Sequence, residues 1–187
     1  KRRLGDLKFF VKQALKWIPG VGWGMQFLGC PFLTRDWTSD RERIRKTFDT
    51  LVSESIPVWL VSFAEGTRST PDKLRESAEW ALANGIEATR HVLVPRTKGF
   101  AATIEGLGTH LHAVYDVTIA YVDGVPTLWQ YITGSVKRIH VHVRRFPIES
   151  LPRLEHELRD WLLRCYREKD ALLEHYYAHG AFRVEAD

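Results

Sequence analysis

With 187 residues, 44% hydrophobic and 27% charged, the chain carries enough apolar material for one full core and is not a disordered segment. Its net charge of +4 suggests an anionic partner (phosphate groups, nucleic acid or a membrane surface) without choosing among them. The two cysteines, Cys30 and Cys165, exclude a disulfide framework and a cysteine-based metal site, so a reducing compartment is the default.

The chain opens on Lys1, has Met25 as its only methionine and shows no secretory leader, so it reads as a piece of a longer protein. From Leu4, the apolar residues Leu7, Val11, Ala14, Leu15 and Ile18 follow helical spacing, and "PGVG" closes that predicted helix. "CPFLTR" reads as a short strand. Ser39 and Glu42 form a capping box for a helix whose apolar face is Ile44, Phe48, Leu51 and Val52. "PVWLVSFA", continuously apolar from Val58 to Ala64 but for one serine, reads as a buried strand and is far too short to span a bilayer.

Thr70 and Pro71 are an N-cap and a first-turn proline for a helix through Leu74, Ala78, Ala81 and Leu82, stopped by Asn84-Gly85. "HVLVP" is the next predicted strand, followed by a helix from Gly99 to about Leu107. "AVYDVTIAYV" and "RIHVHVRRF" are two later strands. In the second, His140 and His142 alternate with Ile139, Val141 and Val143, as the outer face of a half-buried strand would. From Pro152 the tail is helical, with Leu154, Leu158, Trp161, Leu162 and Cys165 on one side. The alternation predicts one α/β domain over 1–187, layered, with a mixed or largely parallel sheet flanked by helices and a helical C-terminal tail.

Three predicted strands run into basic loops: "PFL" at Arg35, "VWLVSFA" at Arg68, and "HVLV" at Arg96 and Lys98. Ligands of open α/β sheets sit outside the carboxyl ends of strands, so parallel neighbours would bring these cations to one rim. In "EGTRST", Gly66 lets the backbone approach closely, Thr67 offers a hydroxyl and Arg68 a fork matched to phosphate. The helix start that follows favours an anion. Glu65 either holds the fork or meets a bound cation. The same residues also describe a plain turn with a surface arginine and a satisfied cap.

"GCPFLTR", "FAEGTRS" and "VLVPRTKGF", in this order, resemble three of the four blocks of the glycerophospholipid acyltransferase family. The agreement continues through Lys73, Ser77 and Ala81, then "VYDVTIAY", "VRRFPI" and "EKDALLEHYY". Over nearly all its length the chain is similar to the eukaryotic lysophosphatidic acid (acylglycerol-phosphate) acyltransferases. The resemblance implies transfer of a fatty acyl group from acyl-CoA to the free hydroxyl of a lysophospholipid, with lysophosphatidic acid giving phosphatidic acid. Acyl-CoA is then a co-substrate, no further cofactor or metal is implied, and the partners are membrane lipids, not nucleic acid. It also implies an integral membrane parent enzyme, in the endoplasmic reticulum, of which this piece is at most peripheral. By the same comparison Arg35, Glu65, Gly66, Thr67 and Arg68 bind the glycerol-phosphate portion. The stretch Val94 to Lys98, with Pro95, Arg96 and Lys98, shapes the acyl or phosphate end.

The family's reaction centre is H-x-x-x-x-D, a histidine that takes the acceptor's proton and an aspartate that orients it. None of the eight histidines has an aspartate five residues later. His112 with Asp116 and His156 with Asp160 are spaced one residue too closely, and the first pair falls on a predicted strand, the second on a solvated helix face. No catalytic residue is therefore assigned in this chain, and the block is expected before Lys1. Alternative readings are a non-catalytic phospholipid-binding relative that keeps the anion site, and an acyltransferase for another lysophospholipid. A nucleic-acid binder is disfavoured because acids intersperse the basic residues and no such module is visible. The aromatic, lysine-rich start (Phe9, Phe10, Trp17, Trp23, Phe27 and Leu28) reads equally as an interfacial stretch or as a buried helix with basic solvent positions.

Overall fold

The computed structural model of the chain describes residues 6–12, 16–30, 32–33, 37–136 and 138–183. In chain order the elements are β1 (Leu7–Phe9), β2 (Val11–Lys12), α1 (Val21–Phe27), β3 (Phe32–Leu33), α2 (Trp37–Ser53), β4 (Trp59–Val61), α3 (Pro71–Ala83), α4 (Thr97–Leu107), β5 (Ala113–Tyr121), α5 (Leu128–Ile132), β6 (Ile139–Pro147) and α6 (Glu155–His179). The chain is mixed α/β, as the alternation predicts, and the expected helical tail is α6, the longest helix among the described residues. Among the described residues the strands form three two-stranded sheets: β1 with β4 and β2 with β3 parallel, β5 with β6 antiparallel. No helix among them is long and apolar enough to cross a membrane.

The chain packs as two compact units, Lys1–Ala64 with Arg96–His112, and Glu65–Pro95 with Ala113–Asp187. The core of the first is the α2 stripe Ile44, Phe48 and Leu51, packed with Leu107 of α4 and partly buried Phe10, Ile56, Val58 and Leu60. In the second, Val92, Ala120, Leu173 and Tyr176 form the core, with Tyr166 and Phe182 against it.

Several elements differ from expectation, each for a physical reason. Leu7–Phe9 and Val11–Lys12 are strands, not part of a helix: Leu7, Phe9 and Val11 also alternate at period two, and the pairings Leu7↔Trp59 and Val11↔Phe32 satisfy the backbone. Leu4, Ala14 and Leu15 of that expected helix lie outside the described residues. Buried Lys8 is tolerated because its Nζ donates to the Leu28 carbonyl at 2.7 Å. "PGVG" leads into α1 instead of closing a helix. The helix at Ser39 begins two residues earlier, so Ser39 lies inside α2 and is not its cap, and Val52 is exposed. Of the aromatic start, Phe10 packs on the core while Trp17, Trp23 and Phe27 are exposed.

β4 is buried on one face only. Val58 and Leu60 turn to the core, whereas Trp59 and Phe63 are exposed, so the continuous apolar run conceals a period-two strand. "HVLVP" forms no strand, because side chains take the amides a ladder would use. His91 N and Val92 N donate to Asp170, and Val94 N donates to Ser77 Oγ at 2.9 Å.

The face of β6 is inverted. His140 and Arg144 turn towards α6, His140 meeting the Tyr176 hydroxyl at 3.0 Å, and His142 packs against Phe182 just beyond that helix, while Val141 and Val143 are exposed. The expected elements otherwise stand: α3 is capped by Thr70 and closes on Asn84, α4 ends at Leu107 as expected but starts at Thr97, two residues early, and β5 and β6 pair from Ala113↔Pro147 to Tyr121↔Ile139. Leu158, Leu162 and Cys165 are the buried stripe of α6, from which exposed Leu154 is excluded.

The α2–α4 contact yields a stability test. A Cβ on Gly106 would lie 2.6 Å from Phe48 Cδ2, and that ring is only 1% exposed. Overpacking costs about 1–3 kcal/mol, against a helix-propensity gain of about 1 kcal/mol for Gly→Ala. Gly106→Ala should therefore lower the Tm by up to several degrees in thermal unfolding. An increase would show that the ring yields freely.

Candidate functional site

After β4 the chain continues through Ser62–Ala64 into Glu65-Gly66-Thr67-Arg68, the loop that precedes α3. Gly66 sits at φ 68°, a left-handed conformation that a side chain would strain. Thr70 is extended and its side chain accepts from Lys73 N at 3.4 Å, while Pro71 fills the first helical position. Lys73 then folds its ammonium back over the loop, donating to Thr67 Oγ1 at 2.6 Å and to the Arg68 carbonyl at 3.4 Å. Arg68 is exposed and makes no ion pair with any described residue. In particular, Glu65 does not grip it.

Glu65 belongs to another network. Burial pushes its carboxyl above the ordinary range; the positive charge of Lys169 and the donated Leu93 N–H pull it back only in part. Lys169 is itself buried, bonded to Asp116 Oδ1 and to the Val117 carbonyl, both at 2.7 Å. The second Asp116 oxygen takes Arg144 Nη2 at 2.8 Å, and Arg144 also pairs with Glu168. Asp116 is thus engaged by two cations and is not available as the partner of a catalytic His112. Cys165, buried with its thiol pushed up to about 11 chiefly by burial, is no nucleophile either.

Arg96 and Lys98 are exposed residues of the first unit, at the start of α4, and the Arg96 N–H donates to the Ala64 carbonyl at 2.7 Å. Pro95 is buried in the second. It lines a cleft of about 440 Å³ together with Val94, Tyr166 and the arginines Arg159, Arg164 and Arg167. Glu65, Gly66, Thr67 and Arg68 are not part of that cleft's wall. Arg35 lies outside the described residues.

Residues 1–122 match the family model described as Acyltransferase, and residues 130–187 match the one described as Acyltransferase C-terminus. The chain belongs to the acyltransferase family. It is 37% identical over 183 residues to human "1-acyl-sn-glycerol-3-phosphate acyltransferase gamma", covering 97% of this chain and 49% of that protein. To mouse "1-acyl-sn-glycerol-3-phosphate acyltransferase delta" it is 37% identical over 180 residues, 96% of the chain and 48% of that protein. To "Probable 1-acyl-sn-glycerol-3-phosphate acyltransferase 5" of Arabidopsis thaliana it is 32% identical over 186 residues, 99% and 50%. The chain therefore spans about half the length of these acyltransferases. No solved structure matches it.

Within this acyltransferase chain, sequence reading gave no role to Lys73, Ser77 or Lys169. Lys73 carried one signal, a cation in a first helical turn where acids are favoured. Ser77 and Lys169 carried none, since their partners are 17 and 52 residues away.

Glu65 supplies a pH test. Its folded-state carboxyl is held above its ordinary value of 4.5. The folded chain thus binds this proton more tightly than the unfolded one, and stability falls as pH rises from that ordinary value through the raised one. Glu65→Gln removes the penalty. The Tm gain should be full above the raised value and shrink towards zero below about pH 4, read by thermal unfolding across pH 4–8. A gain independent of pH would show that the carboxyl is not held high.

Proposed function

We propose that the protein transfers a fatty acyl group from acyl-CoA to the free hydroxyl of lysophosphatidic acid, giving phosphatidic acid at a membrane, most simply that of the endoplasmic reticulum. The observation that carries this reading is the "EGTR" loop. It presents an exposed Arg68, unpaired with any described residue, beside a hydroxyl and a helix start, in a chain whose relatives bear the names given above. Arginine's planar fork grips two phosphate oxygens at once, and Thr67 adds a further polar contact. Roles for Arg35, Pro95, Arg96 and Lys98 towards the acceptor or acyl group rest on the family resemblance alone.

In the transfer, the acceptor oxygen bonds to the thioester carbonyl carbon, the C–S bond breaks, and the released CoA thiol receives the proton that the hydroxyl gives up. A general base must relay that proton. No histidine of these residues has the family's spacing to an aspartate, so the base is assigned to an H-x-x-x-x-D block outside the 187 residues.

Arg68→Ala in the intact enzyme should lower kcat/KM for lysophosphatidic acid by about ten- to a hundredfold, the worth of a charge-assisted hydrogen bond. Arg68→Lys should recover only part, because lysine presents a point charge. The loss should shrink with a monoacylglycerol, an acceptor lacking the phosphate. Equal losses on both acceptors with the fold intact would mean that Arg68 braces the loop instead of touching phosphate. Unchanged kinetics would leave the plain surface turn.

A further inference from the structure

Lys73 occupies a position that helix electrostatics disfavour. It lies in the first turn of α3, where the dipole's positive end repels a cation. No described carboxylate compensates it; its neighbour Asp72 is taken by Arg75 at 3.0 Å. The ammonium instead reaches back along the loop to Thr67 Oγ1 at 2.6 Å and to the Arg68 carbonyl at 3.4 Å.

The polarity of the shorter bond is fixed by chemistry. An ammonium has three donors and no acceptor, so the Thr67 oxygen must accept. The hydroxyl's single proton is then excluded from that bond and points elsewhere. An ionised phosphate oxygen only accepts. A threonine that used its proton internally would turn lone pairs towards such an oxygen and repel it; one that accepts from Lys73 and donates to no described group keeps its proton free for that oxygen.

We propose that Lys73 is a positioning residue: it makes Thr67 a hydrogen-bond donor towards an anionic oxygen of the acyl acceptor and fixes the Arg68 backbone beside it. The inference rests on the reading of 65–68 as the phosphate-binding loop. It adds to that reading a reason for a lysine in a helical first turn, and a direction for the Thr67 proton.

The test is kcat/KM of the intact enzyme with lysophosphatidic acid and with a monoacylglycerol, for Thr67→Val, Lys73→Met, the double variant and Lys73→Arg. Each of the first two should lose about tenfold with lysophosphatidic acid, mainly through KM, the size of a hydrogen bond to a charged group. The double variant should lose little more than the worse single one, because both remove the same donor. Lys73→Arg, also only a donor, should retain most activity, and the losses of the other variants should shrink with the monoacylglycerol.

Losses that multiply in the double variant, an equal loss on both acceptors, or an unaffected Lys73→Met would overturn the inference. Arg68→Ala, run alongside, separates the two levels. If it is selective for the phosphate-bearing acceptor while Lys73→Met is not, only the role of Lys73 fails. If Arg68→Ala is itself blind to the phosphate, both readings fall.

Discussion

The second unit depends on the Asp116 carboxylate, held on one oxygen by Lys169 and on the other by Arg144. The three residues come from β5, α6 and β6, so one group of largely buried charges ties the antiparallel pair to the long helix. Such a cluster need not add much net stability, but removing Asp116 leaves the Lys169 ammonium buried without a carboxylate, which is strongly destabilising. It also dictates orientation. With Asp116 and Arg144 directed to α6, the alternation of a strand sends Val117, Val141 and Val143 outwards, and all three are exposed.

The neighbour of Lys169 on α6 works in the opposite sense. Asp170 accepts the amide N–H groups of Arg90, His91 and Val92, at 2.6–3.3 Å, and so holds the segment that leads to Pro95. Two adjacent residues of the C-terminal helix thus anchor a sheet and a loop. Lys169 in addition biases the charge of Glu65, the first residue of the candidate site.

Local signals in the sequence were readable where the chemistry is local. The Thr70-Pro71 start, the Asn84-Gly85 stop, the α2 stripe and the two long strands all rest on neighbours a few residues apart. The α/β class followed from their alternation. Failures came where distant partners decided. Period 3.6 and period two both fit Leu7 to Val11, and pairing with residues near 32 and 59 chose between them. The inward face of β6 was misread because hydropathy puts valine inside and histidine outside, whereas Arg144, paired with Asp116 of β5 and Glu168 of α6, and the contacts of His140 with Tyr176 and His142 with Phe182 reverse it. In the candidate site, "EGTR" was visible as a pattern, but the partner of Glu65 was not, since Lys169 lies more than a hundred residues away in sequence.

The side-chain capture of the 90–94 segment has a consequence for hydrogen exchange. Amide protons of His91 and Val92 are protected by a carboxylate on another element, not by a ladder of neighbouring peptides. Their exchange with deuterium therefore reports undocking of α6, and should follow the amides of the facing helix more closely than those of the adjacent loop. A strand in the same place would exchange with its sheet. Here a single carboxylate sets the clock for the amides of Arg90, His91 and Val92.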